Sequence, residues 1–169
     1  MIEINNLTTN PIDEEFFKKT AKMILEGESE ISKFRKTDLS IALVGQGRIS
    51  ELNRRYRGKN RVTDILAFPN NGLPARNASH SEAGGGEIVI CLREVKKNAK
   101  KYGLTFEKEL SKVLIHGILH LLGYNHEESE KETERMRQKE EYYLLEMGEI
   151  GEGSGAPHIN LCAGFKERC

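Results

Sequence analysis

Three histidines, His116, His120 and His126, stand in the pattern H-x-x-x-H-x-x-G-x-x-H, with Gly123 between the second and third. Residues four apart lie on one face of a helix, so His116 and His120 can aim their imidazoles at one point. Gly123 can take the left-handed conformation that ends a helix, and the returning chain can bring His126 in from the side. Three neutral imidazoles at about 2.0–2.1 Å would hold a zinc ion and leave its fourth tetrahedral position open to water. That is the arrangement of a hydrolytic site, in which the metal makes water acidic and polarises a substrate oxygen. The flanking Leu114, Ile115, Ile118, Leu119 and Leu121 place the rings in an apolar wall, where an unliganded pair would be costly. Nickel, copper and iron also accept three histidines, so the expected cofactor is one Zn2+ per chain by inference from the hydrolytic geometry.

The ligand spacing is that of metzincin proteases, H-E-x-x-H-x-x-G-x-x-H. Here Gly117 occupies the position of the glutamate that serves those enzymes as general base. A protease is thereby disfavoured. Glu87, Asp64 and Glu127 are the carboxylates left to assist, each more readily read as structural.

Elements must carry these residues. The chain has 169 residues, 37% hydrophobic and 31% charged, the size and composition of one ordinary globular domain. Strands are expected at Ile2 and Ile4, Leu39–Val44, Ile65–Phe68 and Glu87–Cys91. Helices are expected at Asp13–Glu26, from about Ile49 to Arg57, and at Leu92–Tyr102, Phe106–Leu122 and Glu128–Met147. In the second helix Ile49, Leu52, Asn53 and Tyr56 mark one face. The fold class is α+β: a small mixed sheet of about four strands with helices packed on it, and a zincin-like metal-site helix at the centre. Residues 70–86 read as a long loop without periodicity. The domain is expected to occupy residues 1–147, with the glycine-rich stretch 148–169 as a loosely held extension.

Apolar runs are far too short to span a bilayer, and MIEINNLTT lacks the pattern of a secretory signal. A cytoplasmic protein without membrane partners is expected. The three cysteines make no disulfide framework, and Cys91 reads as a small buried thiol; His158, Cys162 and Cys169 match no standard zinc module. Net charge is +0, yet charge is segregated: Arg48, Arg54, Arg55, Arg57, Lys59 and Arg61 crowd one stretch against Glu51 alone. Such a cluster can form a basic surface that a neutral total conceals.

Three blocks give the chain a family resemblance. They are Leu52-Asn53-Arg54-Arg55-Tyr56-Arg57-Gly58 with Thr63-Asp64-Ile65-Leu66-Ala67-Phe68-Pro69, then Gly86-Glu87-Ile88-Val89-Ile90-Cys91, then His116 to His126. In order and spacing they resemble the YbeY family, bacterial rRNA maturation factors regarded as single-strand-specific, metal-dependent endoribonucleases. The resemblance covers roughly residues 1–147. It implies that His116, His120 and His126 are the metal ligands and that Arg57 matters for activity. It also implies single-stranded RNA as substrate, with rRNA and the small ribosomal subunit as partners and no DNA. A guanidinium agrees with that role, since it binds phosphate bidentately and keeps its charge. Arg54, Arg55, Lys59 and Arg61 would then contact the RNA backbone without reading sequence. Asn125 departs from the family's usual aspartate, and the tail lies outside the pattern. Two other readings remain: a zinc hydrolase of another substrate, and a ribosome-associated binding factor with a structural zinc.

Overall fold

The computed structural model describes residues 1–28, 38–69, 86–124 and 129–148. Within these residues four strands form one sheet: β1 (Ile2–Asn6), β2 (Leu39–Leu43), β3 (Ile65–Pro69) and β4 (Gly86–Ile90). Their spatial order is β1-β2-β4-β3. β1 and β4 both run parallel to β2, and β3 runs antiparallel to β4 with Ile65 opposite Ile90 and Pro69 opposite Gly86. The sheet is thus mixed, as expected, and Pro69 falls on an edge strand, where its missing N–H costs least.

Among the described residues five helices accompany the sheet: α1 (Glu14–Gly27), α2 (Gln46–Arg57), α3 (Leu92–Tyr102), α4 (Phe106–Leu121) and α5 (Glu130–Glu146). Local chemistry sets their ends. The side chains of Asp13, Thr105 and Ser129 accept hydrogen bonds from the N–H groups of Phe16, Lys108 and Glu132, capping α1, α4 and α5. Gly58 and Gly103, at φ 67° and 66°, end α2 and α3.

Side chains alternate across the strands, so the sheet has two apolar faces. Leu39, Ile41, Leu43, Ile65, Ile88 and Ile90 face α1, α4 and α5 in the main core. Ala42, Val44, Leu66, Val89 and Cys91 face the other way, against Ile49 of α2. Burial raises the Cys91 thiol above its ordinary range, in keeping with an inert packed residue. α4 lies at the centre, packed against α1, α3, α5, β3 and β4. Among the described residues no helix is long and apolar enough to cross a membrane.

Several charged groups are buried, Glu28, Asp64, Glu109 and Glu140 among them. Glu28, fully buried at the end of α1, accepts hydrogen bonds from Lys139 Nζ (2.6 Å), Tyr143 Oη (2.7 Å) and Tyr124 Oη (2.7 Å). Burial pushes its pKa up, but the donors from Lys139, Tyr143 and Tyr124 outweigh that and hold it below the ordinary 4.5. Its partner Tyr124 is pushed up to about 12, by burial and then by the Glu28 carboxylate. A carboxyl whose pKa is lower folded than unfolded stabilises the fold fully above its unfolded value, and this stabilisation is lost as pH falls through the folded value. The stability gap between wild type and Glu28→Gln, measured by urea unfolding, should therefore be constant above about pH 4.5 and shrink below it. A gap that did not change with acidification would show that the charge contributes nothing.

Candidate active site

His116 and His120 both project from α4, and their rings meet edge to face with centroids 4.5 Å apart. Their Nε2 atoms are 3.1 Å apart. Two nitrogens on one tetrahedral ion, each at about 2.0–2.1 Å, would be separated by roughly 3.3–3.4 Å. The pair therefore fits a shared cation after a shift of a few tenths of an ångström. His116 is 2% exposed, whereas His120 is only half-buried and lies nearer solvent. Behind His116, its Nδ1 stands 2.8 Å from Oε1 of Glu140, which projects from α5 and is itself 6% exposed.

The end of α4 has the geometry that its glycine suggests. Gly123 sits at φ 92°, with its N–H bonded to His120 O and the next N–H, of Tyr124, reaching back to Leu119 O. This pair of bonds is the Schellman closure. Residues 125–128, among them His126, Asn125 and Glu127, lie outside the described residues. Among the described residues no group of three His, Cys, Asp or Glu side chains is placed to hold a metal ion, so the site visible here is the His116–His120 pair with Glu140 behind it.

Gly117 explains its own identity. A Cβ built on it would stand 2.4 Å from Ile65 Cδ1 and 3.5 Å from Ile88 Cδ1. This position faces the sheet, where α4 rests on β3 and β4, and not an open cleft.

The basic cluster lies elsewhere on the sheet's surroundings. α2 covers part of the face opposite α4, and Arg54, Arg55 and Arg57 are exposed in its last turn. The Arg57 side chain makes no hydrogen bond or ion pair among the described residues. The chain after it is pinned, because the buried Asn53 side chain donates to Arg61 O (2.9 Å) and Lys59 N–H reaches Asn53 O. Lys59 and Arg61 are thereby held at the same end of α2. The following strand, β3, begins with Ile65, the residue under Gly117.

Tyr56 shares its helix face with Leu52 but is left partly open to solvent. It is 49% exposed, its ring packs edge-on against Phe68 at 5.2 Å, and the Arg55 guanidinium lies 5.6 Å from its centre. It lines an open groove of about 630 Å³ that also includes Arg48, Leu52, Ser40 and Glu87. Glu87 therefore points away from the α4 face. Asp64 is buried and accepts from the Asn98 amide at 3.0 Å, a structural role.

Glu140 is the residue at this site that sequence reasoning missed. The signal was there: Met136, Glu140, Tyr143 and Leu144 form the buried stripe of α5, and a charged residue on an apolar stripe calls for a partner.

Residues 3–148 match the family described as endoribonuclease YbeY. The chain belongs to the YbeY family. Curated relatives named endoribonuclease YbeY include a protein of Thermodesulfovibrio yellowstonii, 46% identical over 63% of this chain and 64% of its own length, just under two thirds. One from Persephonella marina is 40% identical over 73% of this chain and 79% of the relative. Another, from a Sulfurovum species, is 38% identical over 88% and 91%. A solution structure of a Thermotoga maritima protein superposes with a TM-score of 0.56 at 30% identity, covering 94% of this chain and 99% of that one. YbeY membership accounts for the α+β fold.

Proposed function

We propose that this protein is a zinc-dependent endoribonuclease that cuts single-stranded RNA in the maturation of small-subunit rRNA 3′ ends and in ribosome quality control in the cytoplasm. The observation that carries the reading is the facing pair on a central helix, buried His116 and half-buried His120, at a separation suited to one cation. In this reading His126, two residues beyond the Tyr124 turn, completes the ligand set. Zinc held there would polarise a phosphodiester oxygen and lower the pKa of a water to about 7. The protein's own residues do the rest. Arg57, exposed at the end of α2, is assigned to the RNA phosphate, where its guanidinium would offset charge that builds in cleavage. Arg54, Arg55, Lys59 and Arg61 bind neighbouring phosphates, which supplies affinity without sequence preference. Gly117 provides no proton acceptor, so the site works without the glutamate that a zinc protease places beside its first histidine.

The test is cleavage of a single-stranded RNA and of the same sequence in duplex, before and after chelation and zinc return. Cleavage of the single strand alone, lost on chelation and restored by zinc, is the expected result. Arg57→Ala should lower kcat/KM by about a hundredfold, the effect of losing one charge-stabilising donor, with zinc content and thermal midpoint unchanged. Undiminished cleavage would remove Arg57 from the mechanism, and cleavage that survives exhaustive chelation would sink the metal-dependent reading.

A further inference from the structure

We propose that Glu140 is a positioning residue that fixes the ring orientation and tautomer of His116, so that Nε2 is the atom offered to the metal. The inference rests on the zinc reading above and deepens it. Glu140 and His116 are 24 residues apart on different helices, yet their polar atoms meet at 2.8 Å with both side chains buried. In this proposal Glu140 is ionised, so its carboxylate accepts and Nδ1 of His116 carries the shared proton. With Nδ1 as donor, Nε2 of His116 carries its lone pair, and it faces Nε2 of His120 at 3.1 Å. A carboxylate behind a ligating imidazole also makes the ring a stronger donor to a metal.

The surroundings argue for this purpose. The rest of the buried stripe on α5 is Met136, Tyr143 and Leu144, and an apolar residue at 140 would continue it. Removing a buried ion pair in favour of well-packed apolar residues is often neutral for stability. The carboxylate's effect therefore lies in the histidine it holds. Without it His116 could exchange tautomers or turn its ring within an apolar wall.

The experiment measures zinc affinity of metal-free full-length protein by competition with a chromophoric chelator, together with imidazole 15N shifts at pH 8. In wild type, His116 should show a protonated Nδ1 and a bare Nε2. Glu140→Gln keeps the volume and an acceptor and should weaken zinc binding by about tenfold. Glu140→Leu removes both charge and acceptor and should weaken it by up to about a hundredfold, with mixed His116 tautomers. A residue that only held the helices together would change the thermal midpoint and leave the tautomer of the folded protein as it was. His116→Ala is the control. If it loses zinc while both Glu140 variants bind within twofold of wild type, the positioning role is overturned and the metal site stands. If His116→Ala binds zinc like wild type, the metal site itself falls and the role of Glu140 falls with it.

Discussion

Glutamate in place of Gly117 should strongly destabilise the protein instead of equipping it with a protease's general base. The Cβ of any side chain at 117 comes within 2.4 Å of Ile65 Cδ1, where α4 rests on the sheet. Alanine is tolerable there. The nearest atom is the tip of a rotatable isoleucine, and overpacking of about 1–3 kcal/mol is partly offset by about 1 kcal/mol of helix propensity. Glutamate adds a carboxylate directed at Ile65 and Ile88, and burying that charge unpaired costs well over about 4 kcal/mol. Against a total stability of about 5–15 kcal/mol, most of the margin is gone. Thermal unfolding should show a midpoint lowered by more than about 10 °C for Gly117→Glu, at about 2–4 °C per kcal/mol for a chain of this size. A midpoint within a few degrees of wild type would mean that the position opens on a cleft, and packing would no longer explain the glycine.

Loss of the Glu28 carboxylate should destabilise the fold by about 3 kcal/mol, near the lower end of the cost of breaking a buried ion pair. Glu28→Ala leaves the Tyr124 and Tyr143 hydroxyls, both in buried side chains, without their acceptor. It also strands Lys139, although that side chain is 29% exposed and can turn to water, which moderates the loss. Gly27→Ala should reach the same network from outside. Its Cβ would stand 2.5 Å from Tyr143 Oη, so the hydroxyl must leave Glu28 or the helix must move, for about 1–3 kcal/mol. Urea unfolding of the two single variants and the double variant checks the coupling. Additive losses would show that Gly27 and Glu28 act separately.

Much of this fold is legible in sequence where the signal is local. α3 spans Leu92–Tyr102 as expected, because its amphipathic run is closed by Gly103. α2 ends at Arg57 for the same reason at Gly58, and α4 begins and ends within a residue of expectation. Helical spacing aligns Tyr56 with Ile49 and Asn53 but does not show its 49% exposure, which arises because the sheet's second face does not cover the last turn of α2. At the site, the two helix histidines are legible because four-residue spacing is a local property. Glu140 is not, because its partner lies 24 residues away on another helix. Gly117 reads at once as a missing base, but the closeness of Ile65 that demands a glycine appears only once the sheet is assembled. The place of β4 between β2 and β3 likewise has no local signature.

Glu28 also sets an order of events during synthesis. Its acceptor oxygens are satisfied by residues 96, 111 and 115 positions later in the chain. At about 5–20 residues per second, that is a wait of roughly 6–23 s between the translation of Glu28 and that of Tyr143. Until α5 is made, a nascent chain that closed α1 onto α4 would bury an ion with neither its cation nor its second tyrosine. The C-terminal end of α1 thus stays open until α5 arrives, and this part of the core closes only after α5 has been translated.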